Sequence, residues 1–221
     1  MSPGLAIFDC DGVLVDSERL TVAVEARVLT QLGWPHTNDD VVSHWMGRTS
    51  AEQLSEVTDR LGPEAARSFD EQTTAELEEV FERELRVVAG VEAVLDTLAG
   101  AGVSTCVASS GSHAKMRSTL GLTGLYDRFS GRIFSADEVT HGKPAPDLFL
   151  HAARAMGAHP SESVVVEDSV YGVRAAVTAQ MDVYGFAGGL TSATALAEAG
   201  AQVFHEMGEL IDLLELRPPE G

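Results

Sequence analysis

The 221 residues predict an α/β fold: a parallel sheet flanked by helices, with a separate helical module inserted after the first strand. Three observations carry that prediction. From residue 89 onward, short apolar segments alternate with amphipathic ones, the rhythm of strands and crossover helices. Residues 16–88 form a run of helical patterns far longer than an ordinary crossover. Acidic and hydroxyl residues stand at the ends of several apolar segments, where ligands bind in parallel sheets.

Each element has a local reason. Gly4 to Asp9 reads as a short buried strand, and Gly12 gives the backbone freedom for a tight turn after it. From Asp16 to Leu32, the residues Leu20, Val24, Val28 and Leu32 recur every fourth position, with Asp16 or Ser17 as cap and Gly33 as stop. Helices follow at Asp39 to Met46, Ser50 to Leu61 and Pro63 to Leu85. The last turns Phe69, Leu77, Val80, Phe81 and Leu85 to one side and glutamates to solvent. The domains are therefore expected as a core of residues 1–15 and 89–221 and a module of residues 16–88. In the core, strands are predicted at Val103 to Ser109, Arg132 to Ser135, Val164 to Glu167 and Asp182 to Phe186. Helices are predicted at Val91 to Leu98, Ser112 to Leu120, Pro146 to Met156, Val170 to Ala179 and Ser192 to Ala199.

Composition narrows the function. A formal net charge of −19 with 15 Lys and Arg leaves no basic footprint for a nucleic-acid backbone. It does not exclude a small anionic ligand, since one placed lysine and a metal reverse the local field. No uncharged apolar run is long enough to span a membrane, and Asp9 interrupts the first apolar segment, so a cytoplasmic location is expected. Cys10 and Cys106 fall in apolar strand segments and are expected as buried free thiols.

The sharpest signal is Ile7-Phe8-Asp9-Cys10-Asp11-Gly12, two carboxylates on one side of an extended segment. Like charges so placed repel unless a cation lies between them. A carboxylate can attack phosphorus as a nucleophile, and a second can protonate the departing alkoxide and then take a proton from water. Asp9 fits the first task and Asp11 the second, with Mg²⁺ as the hard cation neutralising both. Asp-Gly is also an ordinary turn signal, and that alternative stays open.

Three further strand ends converge. Glu167 and Asp168 close an apolar valine run just before a helix, as metal ligands or as a helix cap. Ser109 and Ser110 lead into a glycine turn and a helix start, a phosphate cradle or a plain capped turn. Lys143 precedes Pro144, which holds it extended and aims its charge toward a phosphate and Asp9. Gly47 and Arg48 lie between two helices of the module, where the arginine can meet the far end of a substrate or simply face solvent. Trp34 and Trp45 either line an entrance or pack within the module.

These pieces in this order, DGVLVDSE, the strand-end serine, GKPAPDLF and VVVEDSVYG, resemble the haloacid dehalogenase superfamily over nearly the whole chain, in its branch of phosphatases and β-phosphoglucomutase-like enzymes. The resemblance implies a Rossmann-like core with an inserted helical cap that sets substrate choice. It also implies roles: Asp9 as nucleophile and metal ligand, Asp11 as acid and base with its carbonyl on the metal, Ser109 and Lys143 on the phosphoryl group, and Asp168 on Mg²⁺ with Glu167 close by. Thr21 stands where mutases resembling β-phosphoglucomutase carry a histidine, which favours hydrolysis over isomerisation. The expectation is a Mg²⁺-dependent phosphatase of a small phosphorylated metabolite, a sugar phosphate, working through an aspartyl-phosphate as a monomer or weak homo-oligomer. A phosphomutase and a phospho-acceptor or sensing module without turnover are the rivals.

Overall fold

The computed structural model describes residues 3–45 and 48–216. The chain divides into two compact units, one of residues Met1–Asp16 and Arg86–Gly221, the other of Ser17–Leu85. The sequence boundaries of 16 and 88 fall within three residues of these divisions.

Strand β1 (Leu5–Phe8) opens the first unit and is buried along its length. The second unit holds four helices: α1 (Glu18–Gln31), α2 (Asn38–Trp45), α3 (Ser50–Leu61) and α4 (Pro63–Glu84). Gly33, with φ +90°, follows α1 in a conformation only glycine adopts at little cost. The buried stripe of α1 is wider than the four-residue repeat implies, because Val22, Glu25, Ala26 and Leu29 are covered along with Val24 and Val28. Glu78, Glu79, Glu82 and Glu84 of α4 face solvent as expected, whereas Glu76 pairs with Arg27 of α1. Trp45 is fully buried, with Trp34 at 6.1 Å and Phe69 at 5.5 Å between ring centroids, so the packing alternative holds for it.

The first unit continues with α5 (Val91–Gly100), β2 (Ser104–Ser109), α6 (His113–Leu122), α7 (Tyr126–Phe129), β3 (Ile133–Ser135), α8 (Asp147–Ala155), β4 (Ser163–Glu167), α9 (Val170–Thr178), β5 (Asp182–Phe186), α10 (Ala193–Ala199), β6 (Gln202–Phe204) and α11 (Glu209–Leu213). The six strands form one parallel sheet in the order β3-β2-β1-β4-β5-β6. Chain order reverses direction at β1, which pairs Phe8 with Val107 on one side and Val166 on the other. Carboxyl ends beside such a reversal are where open α/β sheets take ligands.

Alternation along the strands places Leu5, Ile7, Cys106, Ala108, Val165 and Val183 in one apolar cluster with Leu148, Phe149 and Val173 from α8 and α9. Burying a side chain of that size contributes roughly 1.5–3 kcal/mol. Both cysteines are buried and free. Helix α7, strand β6 and helix α11, none longer than five residues, lie outside the sequence prediction. No helix among the described residues is long and apolar enough to cross a membrane.

Candidate active site

The site grows from β1. The backbone N–H of Asp9 donates to the Val166 carbonyl at 3.0 Å, so the ladder to β4 continues past the last strand residue and fixes where Asp9 leaves the sheet. Its carboxylate is buried, at 7% exposure. Next to it on β4, Glu167 and Asp168 are buried at 1% and 2%. On the other neighbour, β2, Ser109 is buried and its Oγ accepts from the Gly111 N–H at 3.1 Å.

Lys143 joins these strand ends. Its Nζ donates to Asp9 Oδ1 at 2.5 Å, to Glu167 Oε1 at 2.6 Å and to the Ala108 carbonyl at 3.1 Å. The ammonium also lies 4.9 Å from the centre of the Phe149 ring. The loop that delivers it has a cis Lys143–Pro144 peptide.

Burial pushes the Asp9 carboxyl up to about 7; Lys143 opposes the rise, while Glu167 and Asp11 add to it. Burial alone would lower the Lys143 ammonium, but Asp9 and Glu167 outweigh it and hold the pKa above its usual value.

Glu167, a metal-ligand candidate from the sequence, has both carboxylate oxygens engaged by protein groups. Oε1 accepts from Lys143, and Oε2 accepts from the Ser169 N–H at 2.8 Å and its Oγ–H at 2.9 Å. The carboxylate sits where a β-carbon on Gly172 would stand 1.7 Å from Oε1, so the glycine leaves the space it occupies. Ser169 in turn caps α9 by accepting from the Gly172 N–H. The capping alternative raised for Asp168 therefore belongs to Ser169.

Asp11 follows the β1 end, with Gly12 beyond it at φ +77°. Its Oδ2 accepts from Lys115 Nζ at 2.8 Å. Lys115 is the functional candidate that the sequence did not disclose, since a lysine in the first turn of a helix has no distinguishing pattern. Ser110 is exposed, unlike Ser109. Arg48 donates to Glu56 Oε2 at 2.5 Å, and the same oxygen accepts from Trp45 Nε1 at 3.2 Å. Gly47 lies outside the described residues.

The donor set suits a hard cation. Asp9 and Glu167 meet the Lys143 ammonium and Asp11 meets Lys115, with the buried Asp168 next in the chain after Glu167, so the acids outnumber the ammonium groups. Among the described residues no three acid, imidazole or thiol groups already surround a common point, so it is donor chemistry that supports a cation here.

Comparison with known proteins agrees with this architecture. Residues 6–186 match the haloacid dehalogenase-like hydrolase family, and the chain belongs to it. A 6-phosphogluconate phosphatase of Escherichia coli is 30% identical over 180 residues, covering 81% of this chain and 80% of that one. A phosphorylated carbohydrates phosphatase of Thermotoga maritima is 30% identical over 211 residues, covering 95% and 97%. A hydrolase of the same family from Deinococcus radiodurans, crystallised with phosphate and sodium, superposes with a TM-score of 0.82 at 26% identity over the full length of both chains.

Proposed function

We propose that the protein hydrolyses small phosphomonoesters, sugar phosphates in particular, through an aspartyl-phosphate on Asp9. The observation that carries this reading is the buried Lys143 ammonium held 2.5 Å from Asp9 and 2.6 Å from Glu167, at the carboxyl ends of the central strands. A lysine fixed against a buried carboxylate supplies the positive charge that both the nucleophile and an incoming phosphoryl group need. The phosphatases of phosphorylated carbohydrates among its relatives support the substrate class.

In the first half-reaction, entered with Asp11 carrying a proton, an Asp9 oxygen bonds to phosphorus as the bond to the sugar oxygen breaks, and Asp11 gives that proton to the departing oxygen. In the second, Asp11 takes a proton from water, the water oxygen bonds to phosphorus, and the bond to Asp9 breaks, releasing phosphate. Both carboxyl groups return to their starting states. Ser109 holds a phosphoryl oxygen, and Lys143 takes another by exchanging its bond to Asp9 for one to the phosphoryl group as the aspartyl-phosphate forms. Asp9, Asp168 and the Asp11 carbonyl would hold Mg²⁺, which when bound offsets the charge of the carboxylates and of the phosphoryl oxygens.

A phosphate-release screen over sugar phosphates, polyol phosphates, phosphoglycolate and nucleotides with Mg²⁺ tests the proposal. Turnover of a sugar phosphate, lost on chelation and restored by Mg²⁺, is expected. An isomerised sugar phosphate without free phosphate would assign the site to a mutase, and binding without turnover to a sensor.

A further inference from the structure

Lys115 is engaged with Asp11, but none of the roles above uses it. Its backbone N–H donates to Ser112 Oγ at 3.3 Å, which anchors the residue in the first turn of α6. From there the side chain reaches back across the strand-end loop to Asp11 Oδ2 at 2.8 Å. A β-carbon on Gly111 would stand 3.4 Å from Lys115 Cδ, 3.5 Å from Ser109 Oγ and 3.7 Å from Asp11 Oδ2, ordinary contact distances that show the three groups gathered around one point of the loop. Thr119, one turn further along α6, lies 3.9 Å from Cys10 Sγ. One face of α6 thus addresses two successive residues of the Asp9–Gly12 segment.

We infer that Lys115 is a positioning residue that sets the direction of the Asp11 carboxylate for proton exchange with the substrate's bridging oxygen. Asp11 follows the last residue of β1 by three positions, outside the six-stranded ladder, and its backbone forms an isolated bridge with Val15 across the turn of residues 12–14. Committing Oδ2 to an ammonium anchored on a helix restricts its side-chain torsions. A misplacement of about 1 Å in a reacting group costs on the order of 10²-fold in rate. The side chain of Lys115 is 43% exposed, so the pair adds little to stability by itself and the fold survives its loss.

This inference rests on the phosphatase reading, and the test separates the two. Compare wild type, Lys115→Met and Lys115→Arg on the sugar phosphate that wild type turns over fastest and on p-nitrophenyl phosphate, whose leaving group departs without a proton. Lys115→Met is expected to lower the first-turnover rate of leaving-group release, read by rapid quench before the shared hydrolysis step, by about 10–100-fold on the sugar phosphate and by less than about 3-fold on p-nitrophenyl phosphate. KM and inhibition by inorganic phosphate should stay unchanged, and Lys115→Arg should restore most of the rate. Equal losses on both substrates, no loss on either, or a change confined to KM would overturn the inference while leaving the phosphatase reading intact. Release of phosphate from neither substrate by wild type would end both.

Discussion

Two lysines meet two aspartates at the end of one strand, and their surroundings differ. Lys143 is 4% exposed and divides its protons among Asp9, Glu167 and a backbone carbonyl. Lys115 is 43% exposed and is fixed on Asp11, itself 19% exposed. In the inner pair, desolvation is severe and removal of one partner strands charge in an apolar surround. In the outer pair, water and salt already screen the interaction, so its worth lies in where it puts a carboxylate rather than in binding energy. The inner pair is governed by buried charge and the outer one by direction.

Four substitutions would break or sharpen that contrast, taken from the largest effect down. Asp9→Asn removes the proposed nucleophile, and phosphate release should fall by about 10³-fold or more while the far-UV circular dichroism stays unchanged. Retained turnover would move the nucleophile elsewhere. Lys143→Met leaves Asp9 and Glu167 buried without their cation and should cost about 3–5 kcal/mol in urea unfolding. Gly172→Ala drives a methyl group into the Glu167 carboxylate and should cost about 1–3 kcal/mol. That cost should shrink in the background of Glu167→Ala, which a double-mutant cycle reads directly. Lys115→Met should change stability by no more than about 1 kcal/mol, an amount that fades further at high salt. A loss comparable to that of Lys143→Met would erase the distinction between the pairs.

The sequence disclosed the inner pair and not the outer one, for a physical reason. Asp9, Glu167 and Asp168 interrupt or close apolar runs, and Lys143 sits between glycine and proline, so each is conspicuous against its local pattern. Lys115 is an unremarked helix residue whose meaning comes from sheet order. Only when β2 lies beside β1 does the helix leaving β2 face the turn leaving β1. Glu167 shows the complementary gap. Its position at a strand end was legible, but the division of its two oxygens between Lys143 and Ser169 depends on the side-chain space above Gly172. The long elements of the fold were readable from periodicity within a residue or two, while the edge strand β6, polar and exposed at Gln202 and half-buried at Val203, carries no apolar run to mark it.

The lysine that touches Asp9 lies 134 residues further along the chain, and Glu167 comes later still. Asp9 is therefore synthesised long before the groups that meet it, and its surroundings are complete only once β4 has docked beside β1. On the proposed function, the first release of phosphate would report the closing of the middle of the sheet.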